Sequence, residues 1–283
     1  MAIIDIGQRL QRTHTKPMKT VIITGSTRGI GYSLAEAFLA RECDVVVTGR
    51  SENSVNTAVA TLAARFGQER VLGQPCDVTV PAQVENLCQA AETRFGQVDI
   101  WISNAGLGHR MANVWELSPE TVRSVVDTNL TGVVNCARVA IPRFLAQGHG
   151  QLYNMEGYGS DLSVRAKLGI YAATKAAVRS LTLTLAKETA GMPIQIGALG
   201  PGMVVTDLLL DPVKDDPKTK AQLMRVTNIL GERPETVSPW LAEHVLGNTK
   251  TGVRFDWLTT PKVIWKFATA PFHKRDLFSG DSV

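Results

Sequence analysis

The sequence predicts an α/β fold: one domain built on a doubly wound parallel sheet. Three observations predict it. Short apolar runs, among them TVIITG (20–25), CDVVVTG (43–49) and VDIWISNAG (98–106), alternate with amphipathic stretches of helical length. That alternation is the signature of strands covered by helices on both faces. The first run passes straight into a glycine-rich turn and then a helical stretch. Finally, 283 residues, 44% of them hydrophobic, are enough to enclose a large core.

The elements follow in order. The Val- and Ile-rich run at 20–25 reads as a buried strand, and RGIGYSLAEAFLARE (28–42) as its helix. CDVVVTG is the second strand, SVNTAVATLAARFG (54–67) its helix, and RVLGQPCDV (70–78) the third strand. PAQVENLCQAAETRFG (81–96) is helical and VDIWISNAG is the fourth strand. A long helix is expected from about Pro119 to Gln147, a strand at GQLYNM (150–155), a helix from about Ile170 to Thr189, and a strand at IQIGALGPG (194–202). Beyond Gly202 the pattern breaks into the polar DLLLDPVKDDPKTK (207–220), read as a substrate loop over about 203–250, and TGVRFDWL (251–258) reads as a last strand. Residues 1–18 are expected to form an extension, 19–260 the domain, and 261–283 a tail.

Composition excludes several functions. The formal charge is only +4, with no basic run long enough to track a phosphate backbone, so no nucleic-acid partner is expected. Cys43, Cys76, Cys88 and Cys136 show neither metal-like nor paired spacing and read as small buried hydrophobes in a reducing compartment. No metal site is expected. The N-terminus lacks the continuous apolar core of a signal peptide, and no stretch of about 18 apolar residues spans a membrane.

The turn TGSTRGIG places Gly25, Gly29 and Gly31 between a strand and a helix. Glycines there let the backbone turn tightly against a pyrophosphate, whose charge the helix N-terminus stabilises. This is the Rossmann arrangement for a dinucleotide. An NAD site would carry a carboxylate about 20 residues further on, to accept from the ribose 2′-hydroxyl. Here the second strand ends in Thr48, Gly49 and Arg50. Arg50 and Arg28 could pair with a 2′-phosphate through forked, charge-assisted bonds, which favours NADPH.

Gly25-x-x-x-Gly29-x-Gly31, Asn104-Ala105-Gly106, Asn129 in DTNLTG, Tyr171-x-x-x-Lys175 and PGMVVT (201–206) together resemble the short-chain dehydrogenase/reductase family over roughly residues 20–207. The resemblance implies hydride transfer between NADPH and a carbonyl, with Tyr171 as the acid. Lys175 would lower the tyrosine pKa and bond the nicotinamide ribose, and Asn129 would hold a relay water. Tyr171 and Lys175, four apart, share one helix face. The resemblance further implies that Asp77 contacts the adenine and that Asn104, Ala105 and Gly106 line the cofactor. Thr206, after Pro201 and Gly202, would meet the carboxamide, with Thr27, Ile30, Val78 and Val204 as neighbouring contacts. The family's serine, which orients the substrate carbonyl, falls on Gly157 in this sequence. Ser160, 11 residues before Tyr171, is the expected replacement, brought in by flanking glycines; Glu156 and Tyr158 are weaker candidates.

A narrower resemblance, through LYNMEGYGS (152–160), GPGMVVTDLLL (200–210), ERPETV (232–237) and WLTTPKVIW (257–265), is to the plant chlorophyll b reductases. It implies a large apolar, pigment-like substrate bearing a formyl group, as in chlorophyll(ide) b. A reductase of another ketone or aldehyde, steroid or quinone-like, and a non-catalytic NADP-binding regulator are the alternatives. By the same resemblance a homodimer or homotetramer is expected, in the cytoplasm or peripheral to a thylakoid membrane. The tail PKVIWKFATAPFHKRDLF (261–278) mixes apolar and cationic residues. It reads either as packing against the domain or as lying on an anionic membrane surface beside the substrate.

Overall fold

The structure is a computed structural model that describes residues 18–278. The expected extension over 1–18 lies, Met18 apart, outside the described residues, as do residues 279–283 of the tail.

Seven parallel strands form one sheet in the order β3-β2-β1-β4-β5-β6-β7. They are β1 (Thr20–Ile23), β2 (Asp44–Val47), β3 (Val71–Gly73), β4 (Ile100–Ser103), β5 (Gln151–Met155), β6 (Gln195–Gly200) and β7 (Val253–Asp256). The order runs outward from β1 in one direction and from β4 in the other, so the crevice between their C-terminal ends is the switch point where such sheets bind ligands. Side chains of a strand alternate between faces, and the apolar runs supply both. Val21, Ile23, Val45 and Val47 meet Leu34 and Phe38 of α1 (Gly29–Leu39) and Val237 and Leu241 of α9 (Pro234–Gly247). Ile22, Val46, Trp101 and Leu152 meet Val84 and Leu87 of α3 (Pro81–Phe95) and Ala137 and Phe144 of α5 (Gly132–Gln147). All four cysteines are buried and free.

Several expected elements differ. Strand β3 stops at Gly73, and residues 74–78 form a loop that carries Asp77 to the crevice. The long helix of 119–147 is α4 (Pro119–Val126) and α5 joined by a π turn over Asp127–Thr131, where the Gly132 amide bonds the Asp127 carbonyl. Such a widened turn marks an inserted residue and frequently a functional site; it holds Asn129 fully buried. The stretch after Gly202 is largely helical: α7 (Asp207–Leu210), α8 (Pro217–Leu230) and α9. Its polar look comes from the outer faces of these helices, while Leu223 and Val237 are buried. Helix α2 (Glu52–Phe66) follows β2, α6 (Gly169–Glu188) follows β5, and the tail forms α10 (Thr260–Thr269).

Candidate active site

The C-terminal ends of β1 and β4 are locked to each other. The Asn104 and Ala105 amides donate to Thr24 Oγ1 at 2.9 and 3.0 Å, and Asn104 Nδ2 donates to the Thr24 and Gly25 carbonyls at 2.8 and 3.1 Å. Gly25 (φ +65°) could not carry a side chain, since its Cβ would stand 2.9 Å from Ala105 Cα; one on Gly31 would stand 2.5 Å from Asn104 Nδ2. These glycines therefore keep the backbone of the turn low, and a cleft of about 1350 Å³ opens above it.

Gly25, Thr27, Arg28, Gly29, Ile30 and Gly31 line that cleft at the start of α1. The N-terminus of α1 has no capping side chain and no acidic residue in its first turn. Its free amides thus suit an anion. Arg50, Asp77, Val78, Asn104, Ala105, Gly106 and Thr206 also line the cleft. The donor set fits a dinucleotide: a pyrophosphate at the α1 N-terminus, with cationic Arg28 at the start of α1 and Arg50 beyond the end of β2. Arg28 is already paired, 2.9 Å from Asp207 across the cleft, with both side chains well exposed. Asp77 accepts from the Thr79 amide and hydroxyl, which fixes its loop. Pro201, Gly202 and Val204, expected to contact the cofactor, are not among the residues that line the cleft. Val204 is buried and bridges to Glu232, and Gly202 packs against Leu258, because the chain turns inward there before Thr206 comes out.

Behind Gly106 lie Asn129 and Lys175. A Cβ on Gly106 would stand 3.5 Å from Asn129 Oδ1 and 3.8 Å from Lys175 Nζ, so the glycine leaves space between the cleft and both. Asn129 clamps the loop backbone, accepting from the Leu107 amide at 2.7 Å and donating to its carbonyl at 2.9 Å; Nδ2 also donates to Thr174 Oγ1 at 3.1 Å. Lys175 is buried and donates to the Met155 carbonyl at 3.0 Å. Burial pushes its pKa down to about 8, partly opposed by Glu156. Tyr171 lies one turn earlier on α6, with its ring 5.9 Å from Lys175 Nζ, and burial pushes its phenol up to about 12. The phenol is thus a protonated donor at neutral pH, and a cation stands ready to stabilise its conjugate base.

Ser160 holds its own loop. It is buried, its hydroxyl accepts from the Gly157 amide at 3.1 Å and donates to the Lys175 carbonyl at 3.3 Å. These bonds pin the loop to α6 and occupy the hydroxyl proton. Nor does Gly157 leave room for a serine, since its Cβ would stand 2.5 Å from Tyr171 Oη. The tyrosine occupies the space that a side chain at 157 would need. Tyr158 is exposed.

Of the other residues at the site, Glu156 was already a weaker candidate in the sequence, while His109 gave no readable signal there. His109 is buried beside the cleft; its Nδ1 bonds the Arg110 carbonyl at 2.7 Å, which leaves Nε2 to accept from the Tyr171 amide at 3.4 Å. It thereby caps the first turn of the helix that bears Tyr171. Glu156 is buried in an ion pair with Arg254 of β7 at 2.6 Å. Leu277 and Phe278 return from the tail to line the cleft, with the Leu277 amide held by Asn228 Oδ1 at 2.9 Å. A lone histidine or a tail leucine carries no spacing pattern from which such contacts could be read.

Comparisons with known proteins agree with this geometry. The family model for short chain dehydrogenases matches residues 19–216. A chloroplastic chlorophyll(ide) b reductase of Arabidopsis thaliana, the NOL protein, is 36% identical over 240 residues, 83% of this chain and 67% of that protein. The chain spans 52% to 70% of the length of the four curated plant relatives that it matches. Among solved structures, 3-ketoacyl-(acyl-carrier-protein) reductase of Brucella melitensis, complexed with NADH, superposes with a TM-score of 0.75 at 26% identity, covering 86% of this chain and 98% of that one. L-sorbose reductase of Gluconobacter frateurii, complexed with NADPH and L-sorbose, gives 0.74 at 25% identity, covering 84% and 94%. With its glycine cradle, its Tyr171–Lys175 pair and these relatives, the chain belongs to the short-chain dehydrogenase/reductase family of oxidoreductases.

Proposed function

We propose that the protein is an NADPH-dependent reductase of a carbonyl group on a large apolar substrate, of the chlorophyll(ide) b formyl class. The observation that carries the reading is buried Lys175 behind Gly106, with half-buried Tyr171 one turn before it, at the edge of a cleft with a dinucleotide cradle. A reduced nicotinamide bound in the cleft supplies hydride. Tyr171 Oη gives its proton to the carbonyl oxygen as negative charge develops there, and the Lys175 ammonium stabilises the phenolate left behind. Asn129 and His109 hold the loop and the helix that set these groups in place. The choice of NADPH is supported by Arg28 and Arg50 where a 2′-phosphate would lie, and by the lack of a carboxylate at the end of β2. The pigment class is supported by the Arabidopsis relative.

The test is consumption of NADPH, against NADH, with a panel of aldehydes that includes chlorophyllide b. Turnover of the pigment above small aldehydes is expected; no turnover of any member would overturn the reading. One observation favours a second reading, a non-catalytic NADP-binding regulator: no serine stands at 157, and Ser160 is spent on the loop. Tight NADPH binding with no turnover would select it.

The reading extends to partners. No helix among the described residues is long and apolar enough to cross a membrane. On α10, Ile264, Trp265 and Phe267 are exposed beside Lys262, which suits a peripheral contact with an anionic membrane. Leu145 on α5 and Leu183 on α6 are exposed, and these helices suit the interface of a homodimer or homotetramer. Vesicle co-sedimentation and light scattering test the two in turn.

A further inference from the structure

A buried carboxylate stands next to the catalytic lysine, and the proton transfer described above makes no use of it. Glu156 follows directly on Met155, whose carbonyl receives Lys175 Nζ at 3.0 Å. Its side chain is only 2% exposed. One oxygen, Oε2, accepts from Arg254 Nε at 2.6 Å and lies 3.8 Å from Arg179 Nη1. Arg254 also pairs with Asp256 at 2.6 Å. Two guanidinium groups, one on β7 and one a turn beyond Lys175 on α6, therefore gather on the glutamate close to the lysine.

Charge decides what this arrangement does. A buried ammonium is destabilised by lost hydration and by like charges, and stabilised by an opposite charge. Glu156 is the charged side chain that acts on Lys175, and it raises the lysine's proton affinity against burial. The other elements packed on α6 bring less. The strands β5 and β6 carry no charged residue. The π turn brings Asp127, α4 brings exposed Glu120 and Arg123, and the ring of His109 bonds the Tyr171 amide. Asp161 acts on Arg254 rather than on Lys175.

We propose that Glu156 is a positioning residue for proton transfer, a buried carboxylate, adjacent in sequence to the carbonyl that receives Lys175 and paired with Arg254 and Arg179, that keeps the lysine charged. It also gathers the neighbouring cations: Arg254 is bound to the glutamate and Arg179 lies 3.8 Å from it, so that each partly offsets the charge the glutamate presents to the lysine. The pH range over which Tyr171 has a cationic partner is then set by this side chain.

The test is a titration of the full chain without substrate, so that it needs no turnover. The ¹³Cε signal of Lys175, assigned with Lys175→Met, is followed against pH in three proteins: unmodified, Glu156→Gln and Arg254→Met. Glu156→Gln keeps the shape and an acceptor for Arg254 and removes the charge. Its Lys175 midpoint should fall by on the order of one pH unit. Arg254→Met removes a like charge, and the midpoint should rise. If Glu156→Gln fails to fold, Arg254→Met and Arg179→Met still carry the test. A midpoint unmoved in every folded variant would overturn the proposal. The kinetic arm rests on the reductase reading. Glu156→Gln should lose more kcat at pH 8 than at pH 6, and Glu156→Asp should restore most of it. A loss equal at both pH values would mean a merely structural role and overturn the proposal. Absence of turnover in the unmodified protein would instead count against the reductase reading and leave the titration to decide this one.

Discussion

The space between Gly157 and the phenol of Tyr171 governs the chemistry at the scale of single residues. Because a Cβ at 157 would stand 2.5 Å from Tyr171 Oη, Gly157→Ser should displace the tyrosine rather than restore a family donor. Its kcat should fall, and a cofactor-bound crystal structure should show the ring moved; a gain in kcat would refute this. Tyr171→Phe should lower kcat by about 10²–10⁴ with cofactor affinity nearly unchanged, since it removes a proton donor and little packing. Stopped-flow turnover and cofactor titration check the two halves. The sign of the pH dependence follows from the pair. Tyr171, pushed up to about 12, stays protonated through neutral pH, while Lys175 loses its charge as pH rises through about 8. Reduction should therefore be level below that value and fall above it, as the phenolate loses its cation. At the mouth, Arg28 must leave Asp207 to meet a phosphate. Exposed pairs are worth only about 0–1 kcal/mol, so the exchange costs little, and Asp207→Asn should tighten NADPH by less than about tenfold and leave NADH unchanged.

One carboxylate joins both helix α10 and the segment after it to the body, beside the bond from the Leu277 amide to Asn228. Glu232 bonds Lys266 at 2.5 Å and Arg275 at 2.7 Å, while its backbone pairs with Met203 and Val205 just before Thr206. Burial works against its charge, but the two cations outweigh it and hold the carboxyl below the usual glutamate range. A carboxyl with a depressed folded pKa contributes stability above its unfolded value, about 4.3, and loses it as pH falls through the folded one. Acidification below that range should free the tail, and Glu232→Gln should free it at neutral pH. Either change should expose the chain near Leu277 to proteolysis while the sheet stays folded. None of this attachment was legible in the sequence, because Glu232, Lys266 and Arg275 lie far apart along the chain with no periodicity to join them. What was legible is what local chemistry dictates: the alternating strands and helices, the glycine turn, and the i, i+4 pair Tyr171–Lys175. The π turn at Asp127–Thr131 was not, since one inserted residue barely alters helical periodicity. The bonds of Ser160 were not legible for a related reason. Spacing placed its hydroxyl near the site, but only the folded loop shows that the Gly157 amide and the Lys175 carbonyl consume it.

Across the whole molecule, the cleft is bounded by parts of the chain that are far apart in sequence. The turn after β1, the loops after β2, β3 and β4, the segment from Val205 to Asp215, and Leu277 with Phe278 all face it. A ligand that fills it ties these parts together, and one that binds only the folded state stabilises it by RT ln(1 + [L]/Kd), about 2.7 kcal/mol at a hundred times Kd. For a domain of this size that corresponds to a rise in Tm of several degrees. NADPH and NADH differ in the 2′-phosphate alone, so at equal concentration the difference between their shifts reads the contribution of that group. NADPH should give the larger rise. Arg50→Met should bring its shift close to that of NADH, which should itself change little, because Arg50 lies at the β2 end and away from the α1 amides that suit the pyrophosphate. Lowering salt should widen the gap in the unmodified protein, since these charges are exposed and screening weakens them. Equal shifts for both nucleotides in the unmodified protein would show that the two arginines do not read the phosphate.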